Sequence, residues 1–330
     1  MGILGVGHFV PPQVVTNQDL LRFVDTTDEW IMSRTGIRAR RRALPEQATS
    51  DLASEAAQEA LRNAGVMASD LDLVIVATMT PDSPMPATAC RVQHHIGAHR
   101  AGAFDLNVAC SGFVYALAVG AQFIANGTYR RVLVVGADVM TKLMNWQDRT
   151  TCVLFGDGAG AVVLGAVERG FGILGIHLGS NGGGADSLFV RAGGSRLPAW
   201  SADVRPEDYY LQMQGQEVFR FAVQVMGEAA LQALEAARLQ PDQVDLLIPH
   251  QANQRIIEAA RKRLNLPLDR VFSNVEHYGN TSCGSVPLAL SEAHQQGRIQ
   301  DNHIVVLVGF GGGLSWGSVV VRWGGIIKEN

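Results

Sequence analysis

The stretch Leu71-Asp72-Leu73-Val74-Ile75-Val76 is matched 173 residues later (244−71) by Val244-Asp245-Leu246-Leu247-Ile248-Pro249. The same offset relates three further pairs of segments: Glu55-Ala56-Ala57 and Glu228-Ala229-Ala230, Asn107…Cys110 and Asn280…Cys283, and Leu133-Val134-Val135-Gly136 and Val306-Leu307-Val308-Gly309. One register kept over four segments indicates an internal duplication. We therefore predict two related halves, residues 1–170 and residues 171–330.

Helical and strand patterns alternate within each half. Residues 50–64 are apolar at helical spacing, and Ser50 is a plausible N-cap for this helix. Continuous apolar runs of strand length are typical of central strands whose two faces are both covered. Runs of strand character lie at 71–77, 131–136, 160–167, 304–309 and 317–323. The glycine-rich stretch 179–194 is predicted to be a loop. The pattern predicts an α/β fold in which two related sheets alternate with helices in α-β-α-β-α layers.

The composition is that of a compact protein with a large core, because 47% of its 330 residues are hydrophobic and 18% are charged. The net charge of −4 gives no reason to expect a nucleic-acid partner, so an anionic partner would need a local basic patch. No apolar run approaches a membrane span, and the first residues lack the basic region of a secretory signal. The four cysteines show no CxxC spacing, which argues against a zinc site and a disulfide framework and predicts a cytoplasmic protein.

Cys110 is predicted to lie at a strand-to-helix turn. Residues 103–107 are strand-like, and residues 113–125 are apolar at helical spacing without a proline. Near a helix N-terminus, the helix dipole and free backbone N–H groups stabilise a thiolate, so this position suits a nucleophile. A buried packing cysteine is the alternative that the sequence leaves open.

Two polar residues of the second half complete a candidate site. His250 follows the apolar run 244–248, at the carboxyl end of a predicted strand, where α/β proteins usually place their sites. Asn280 lies near the turn that the repeat relates to the turn of Cys110, so a twofold arrangement of the halves brings both to one cleft. A structural histidine and an ordinary turn asparagine are the open alternatives. Cys283, the repeat mate of Cys110, is interpreted as a packing residue.

Two glycine-rich strings predict different structures. Gly156-Asp157-Gly158-Ala159-Gly160-Ala161 matches a dinucleotide fingerprint, but the strand-like run 162–164 follows where a helix should begin. We therefore predict no nucleotide site there. Gly309-Phe310-Gly311-Gly312-Gly313 follows a strong strand, and its glycines allow the close backbone approach that an oxyanion hole needs. A tight turn between two strands is the alternative.

With these residues the chain resembles the β-ketoacyl-acyl carrier protein synthase III family, the initiating condensing enzymes of type II fatty acid synthesis. The resemblance covers essentially the whole chain. It is carried by Asp28-Glu29-Trp30-Ile31, Arg34-Thr35-Gly36-Ile37-Arg38, the Cys110 turn, Phe155-Gly156-Asp157-Gly158, Pro249-His250-Gln251-Ala252-Asn253, Gly279-Asn280-Thr281-Ser282 and Phe310-Gly311-Gly312-Gly313.

The resemblance implies a thiolase-like fold, a homodimer and a Cys110–His250–Asn280 triad. Elongating condensing enzymes place a second histidine at the position of Asn280, so the asparagine favours the initiating class. The resemblance further implies that Cys110 carries the acyl group of a short acyl-CoA, while His250 and Asn280 hold malonyl-acyl carrier protein during decarboxylation. The N–H groups of Cys110 and Gly312 would bind the oxyanion. No metal and no redox cofactor is implied, because decarboxylation supplies the carbanion.

The resemblance also implies contacts for the rest of each substrate. The CoA adenine would stack between Trp30 and Arg149, and Arg34 would lie near the CoA phosphates. Met85 and Phe310 belong to the acyl pocket, and a flexible methionine at 85, where some members have phenylalanine, predicts a pocket that accepts more than acetyl. A basic group matches the family's surface for docking the acidic acyl carrier protein. It consists of Arg220, Arg255, Lys262 and Arg263.

The alternative function is a related secondary-metabolite condensing enzyme, or an acyltransferase with another acceptor. A degradative thiolase is less favoured, because Phe310 stands where its second catalytic cysteine is expected. A CoA-thioester-binding scaffold without activity is disfavoured by the complete triad.

Overall fold

The structure, a computed structural model, describes residues 1–327, so the last three residues of the predicted C-terminal half, 328–330, lie outside it. The strands are β1 (Gly2–Phe9), β2 (Gln13–Thr16), β3 (Ala39–Arg42), β4 (Leu73–Ala77), β5 (Gly102–Leu106), β6 (Val132–Val139), β7 (Asp157–Gly165), β8 (Gly172–Ser180), β9 (Leu188–Val190), β10 (Leu211–Met213), β11 (Leu246–Pro249), β12 (Ile304–Gly311) and β13 (Ser315–Arg322). The helices are α1 (Asn17–Leu20), α2 (Asp28–Thr35), α3 (Thr49–Ala64), α4 (Thr88–His95), α5 (Gly112–Ala125), α6 (Gly215–Ala237), α7 (Gln254–Arg263), α8 (Val275–Tyr278) and α9 (Ser285–Gln295).

Two large sheets share one strand order. The first runs β1-β7-β6-β4-β5, and the second runs β8-β13-β12-β11. Each sheet contains a corresponding parallel pair, β4 with β6 and β11 with β12. Two antiparallel strands follow each pair, β7 and β1 in the first sheet and β13 and β8 in the second. The first sheet has a fifth strand, β5, parallel to β4 at its edge. The α/β fold built from two related sheets, predicted from the repeat, is confirmed; the division at residue 170 stays a prediction.

Helices and sheets alternate in five layers. Helix α3 packs on the outer face of the first sheet, α6 packs on the outer face of the second, and α5 and α9 lie between the two sheets. The central helices must be apolar on most of their surface because both sides face a sheet, and α5 buries Phe113, Val114, Leu117 and Ala121 completely. Strand β4 is buried along its whole length for the same reason. None of the helices within residues 1–327 combines the length and the apolar character that a membrane span needs.

The duplication extends to backbone conformation. Ala109 has φ 44°, and its repeat mate Ser282 has φ 50° (282−109 is 173). Each residue begins a short 3-10 turn, Ala109–Ser111 and Ser282–Gly284, that leads into a central helix. Left-handed backbone is unfavourable for residues other than glycine, so its recurrence at both positions reflects the shared geometry of the turn. These two turns bring the halves into contact.

Two local predictions are wrong. Helix α3 begins at Thr49 and has Ala48 as its N-cap, while the Ser50 backbone N–H and hydroxyl instead donate to the carboxylate of Asp82. A partner 32 residues away in the chain therefore takes the hydrogen bonds that a local capping role would have used. The stretch 179–194 is only partly loop, because it contains β9, which pairs with the distant strand β10. Pairing across more than twenty residues leaves no signal in the local composition.

Candidate active site

Cys110 lies in the 3-10 turn between β5 and α5, as the strand-to-helix pattern predicted. Its side chain is 4% exposed, and its Sγ atom is 3.4 Å from the hydroxyl Oγ of Ser282. The backbone of the C-terminal glycine segment passes directly over it: a Cβ atom added to Gly311 would lie 2.6 Å from the backbone nitrogen of Cys110. Only glycine permits this approach.

The electrostatics of Cys110 differ from the expectation based on the helix N-terminus. Burial is the main reason that the pKa of the Cys110 thiol is raised to about 12; the Ser282 hydroxyl lowers this pKa and the negative charge of Asp138 raises it, both by less than burial. The Cys110 thiol is therefore neutral at physiological pH. The local sequence suggested a thiolate because it does not record that the second half of the chain buries the turn, and burial favours the neutral thiol.

His250 follows β11 and is 1% exposed. Its Nδ1 atom is 2.5 Å from the Oγ of Ser285, and its Nε2 atom has no hydrogen-bond partner among residues 1–327. Burial lowers the pKa of His250 to about 3, so the imidazole is neutral. The ring of Phe310 packs edge-on against the imidazole at a centroid distance of 5.3 Å. An unpartnered, buried ring nitrogen indicates a ligand position.

Asn280 is 6% exposed, and hydrogen bonds of its backbone and of its side chain hold it in place. Its N–H donates to the carbonyl oxygen of Leu154 at 2.8 Å, and its Oδ1 accepts the backbone N–H of Ser282 at 2.8 Å. Because the amide oxygen is engaged by the backbone, the Nδ2 group is the part of the carboxamide that can donate to a ligand.

The structure brings the three predicted triad residues to one narrow cavity of about 110 Å³. Most of its other lining is apolar, as is usual for small-molecule sites. The cavity is lined by Cys110, Leu154, Phe155, Leu188, Met213, Gly215, Val218, Phe219, His250, Ala252, Asn253, Ile256, Asn280, Phe310 and Gly311. In the described part of the chain, no group of three or more His, Cys, Asp or Glu side chains is arranged to hold a metal ion.

Two of the predicted reaction-site residues do not line this cavity. Gly312 lines a neighbouring depression together with Ala109, whose backbone leads to Cys110. Met85 is 85% exposed and does not line the cavity of the single chain. Phe310, the other predicted acyl-pocket residue, does line it.

Two of the predicted CoA residues, Trp30 and Arg34, lie on α2, and the third, Arg149, lies in the segment after β6. The guanidinium carbon of Arg149 is 4.8 Å from the centre of the Trp30 ring, and its Nη1 donates to the carbonyl oxygen of Asp25 at 2.8 Å. The two side chains therefore stack directly on each other, and an adenine must separate them to lie between them. Arg34 is exposed, and its backbone oxygen accepts a hydrogen bond from Asn253, which lines the cavity.

The four predicted docking residues are all exposed on two adjacent helices, α6 and α7. Arg255 stacks on Phe219 at 4.8 Å, and Phe219 also lines the cavity. Lys262 forms an ion pair with Glu258 at 3.6 Å. Arg255 therefore connects the exposed basic residues of α6 and α7 to the cavity lining.

Sequence reasoning missed three polar residues that surround the triad. Ser282 contacts Cys110, Ser285 contacts His250, and the buried carboxylate of Asp138 accepts the backbone N–H of Cys283 at 2.9 Å. The repeat could have indicated Ser282, because it is the mate of Ala109 beside the nucleophile. No local pattern marks Asp138, since its partners come from two separate segments, residues 78–80 and Cys283.

Comparison with known proteins agrees with this geometry. Family models match residues 104–182, described as 3-oxoacyl-[acyl-carrier-protein] synthase III, and residues 234–323, described as the C-terminal part of the same enzyme. The β-ketoacyl-[acyl-carrier-protein] synthase III of Caldanaerobacter subterraneus is 55% identical over 322 residues, which cover 98% of this chain and 97% of the relative. That of Symbiobacterium thermophilum is 54% identical over 324 residues, covering 98% of each chain.

A crystal structure of the synthase III of Thermus thermophilus superposes with a TM-score of 0.93 at 47% identity, covering 99% of this chain and 100% of that one. The predicted thiolase-like fold is thereby confirmed. The chain belongs to the β-ketoacyl-[acyl-carrier-protein] synthase III family of condensing enzymes, which are acyltransferases.

Proposed function

We propose that the protein condenses a short acyl-CoA with malonyl-acyl carrier protein by a decarboxylative Claisen reaction and so initiates fatty acid biosynthesis. The products are β-ketoacyl-acyl carrier protein, CoA and carbon dioxide. The observation that carries the proposal is the narrow cavity that Cys110, His250 and Asn280 line together. A sulfur nucleophile beside two neutral donors suits chemistry in which an acyl thioester and an enolate must meet.

In the first half-reaction the sulfur of Cys110 attacks the thioester carbonyl of the acyl-CoA. The bond between the acyl carbon and the CoA sulfur breaks, and the proton lost by Cys110 ends on that sulfur. The backbone N–H groups of Cys110 and Gly312 are the proposed donors to the oxyanion of this step. Backbone donors held by packing need no reorganisation as the charge develops.

In the second half-reaction His250 and Asn280 hydrogen-bond the thioester carbonyl of malonyl-acyl carrier protein. Carbon dioxide leaves, the bonding electrons remain as an enolate, and its carbon attacks the acyl-Cys110 carbonyl and releases the Cys110 sulfur. The low pKa of His250 suits this role, because a neutral donor stabilises an enolate without competing as an acid. Donation from the Ser285 hydroxyl to Nδ1 would leave the ring proton on Nε2, which lacks another partner.

The surfaces around the cavity support assignments for the rest of each substrate. Trp30 and Arg149 are proposed to hold the CoA adenine, with Arg34 near its phosphates. The exposed basic residues of α6 and α7 are proposed to dock the acidic carrier protein. They are Arg220, Arg255, Lys262 and Arg263. No cofactor is proposed, because decarboxylation provides the driving force and the carbanion.

A homodimer in the cytoplasm completes the proposal. Strand β5 is the edge of the first sheet, and an exposed edge strand is a ready surface for pairing with a second copy. Met85 lies 85% exposed on the segment before α4, which packs on β5, so a second copy could cover it and receive it near its own acyl pocket. All four cysteines are free thiols, in keeping with a reducing compartment. The secondary-metabolite alternative is not favoured, given identities of 55% and 54% to synthase III enzymes.

Acyl trapping tests the proposed function. The protein is incubated with labelled acetyl-, isobutyryl- and hexanoyl-CoA, and the mass of the Cys110 peptide is measured. We expect an acyl adduct with at least one donor, its loss in Cys110→Ser, and its retention in the control Cys90→Ser, since Cys90 is exposed and does not line the cavity. Subsequent addition of malonyl-acyl carrier protein should discharge the adduct as β-ketoacyl-acyl carrier protein. Absence of an adduct with every donor would refute the proposal.

A further inference from the structure

Ser282 contacts the sulfur of the nucleophile through its side chain. Its Oγ lies 3.4 Å from the Sγ of Cys110, and the residue is completely buried. We propose that Ser282 is a further catalytic residue, whose hydroxyl donates a hydrogen bond to the sulfur of Cys110 when that sulfur carries negative charge. In the resting thiol the S–H group donates to the hydroxyl; as the proton leaves, the hydroxyl rotates and becomes the donor.

The backbone holds the hydroxyl in this place at some cost. Ser282 has φ 50°, a left-handed conformation that is unfavourable for a residue other than glycine. The turn is kept in this conformation by the Ser282 N–H, which donates to Oδ1 of Asn280, and by the Cys283 N–H, which donates to Asp138. The position of the Ser282 hydroxyl relative to the sulfur is therefore fixed by a turn whose backbone is bonded on both sides.

The surroundings of Cys110 create a need for this donor. Burial, together with the carboxylate of Asp138, raises the pKa of the thiol to about 12, while the Ser282 hydroxyl acts in the opposite direction. Asp138 is completely buried and cannot move away, because its Oδ1 is fixed by Thr78 and Thr80. A charge-assisted hydrogen bond is about twice as strong as a neutral one, so the contact stabilises the charged sulfur more than the thiol.

The inference rests on the proposed acylation of Cys110 and concerns both steps in which its sulfur is anionic. During loading, the bond from sulfur to the acyl carbon forms, the bond to the CoA sulfur breaks, and the proton from Cys110 ends on CoA. During condensation, the Cys110 sulfur leaves as a thiolate and recovers a proton. Decarboxylation of the malonyl group occurs on the other substrate, while the Cys110 sulfur is an uncharged thioester, so Ser282 is not required for it.

Alkylation of Cys110 tests the inference independently of condensation. In a Cys90→Ser background, Ser282→Gly removes the hydroxyl and relieves the backbone, and Ser282→Ala removes the hydroxyl alone. The iodoacetamide modification rate of the Cys110 peptide is measured by mass spectrometry at one pH well below the thiol pKa. We expect both variants to react about three- to tenfold more slowly, because fewer sulfurs are ionised while each thiolate is somewhat more nucleophilic. The control Ser291→Ala, which removes a buried hydroxyl bonded to His8, should react like the parent.

A second measurement separates catalysis from folding. Acyl loading from acyl-CoA should slow in both Ser282 variants, while decarboxylation of malonyl-acyl carrier protein by enzyme already carrying an acyl group should stay within about twofold of the parent. Equal alkylation and loading rates in Ser282→Gly and the parent would overturn the inference. Failure of the parent to load any acyl-CoA, with slower alkylation still seen in the variants, would instead refute the proposed function and leave the contact between Ser282 and Cys110 established.

Discussion

Removal of the Ser285 hydroxyl should slow the malonyl half-reaction selectively. The hydroxyl lies 2.5 Å from Nδ1 of His250, and this contact would keep the ring proton on Nε2, the nitrogen that is unpartnered in the cavity. A buried hydrogen bond between neutral groups contributes about 0.5–1.5 kcal/mol, and a tenfold change in rate corresponds to about 1.4 kcal/mol. We therefore expect Ser285→Ala to slow decarboxylation about tenfold, since the ring loses both its orientation and its tautomer preference.

The assay compares two rates in one protein. Carbon dioxide release from malonyl-acyl carrier protein is measured with enzyme that already carries an acyl group, and acyl loading is measured separately from acyl-CoA. Ser285→Thr retains the hydroxyl and serves as the matched control, and nitrogen NMR of the His250 ring reports its tautomer. Unchanged decarboxylation in Ser285→Ala, or a ring that still carries its proton on Nε2 alone, would refute the reasoning.

Three further predictions concern the same site. Asn280→Ala should spare acyl loading and slow decarboxylation about tenfold or more, because one donor to the enolate is lost; equal losses in both half-reactions would contradict its assignment. His250 should make unfolding easier in acid, because its pKa falls from 6.5 to about 3 on folding. Its contribution to the free energy of unfolding is therefore complete above pH 6.5 and decreases by at most about 5 kcal/mol as the pH falls toward 3. Urea titrations of His250→Gln should show a flatter dependence of stability on pH in this range. Trp30→Ala should raise the KM for acyl-CoA about tenfold and leave the KM for malonyl-acyl carrier protein unchanged, as steady-state kinetics with each substrate varied can check.

The contrast between sequence and structure is clearest around the two equivalent turns. Repetition at a constant offset predicted that the turns of Cys110 and Asn280 would meet, and the structure places both residues on one cavity. The same reasoning did not reveal that Ser282 would contact the sulfur, since that depends on how far one turn inserts beneath the other. Ser50 shows a similar limit: its sequence context suited an N-cap, but Asp82 supplied a better partner through the tertiary fold.

The sequence by itself determined the duplicated α/β architecture, because buried strands and amphipathic helices impose hydrophobic patterns that are read locally and that the repeat doubles. It also identified the three chemical groups of the site, because each follows a strand or a turn in a recognisable string. Only the tertiary structure decided their protonation and their neighbours. Burial sets the neutral states of Cys110 and His250, and burial is produced by packing between segments more than 100 residues apart, whose separation no local pattern records.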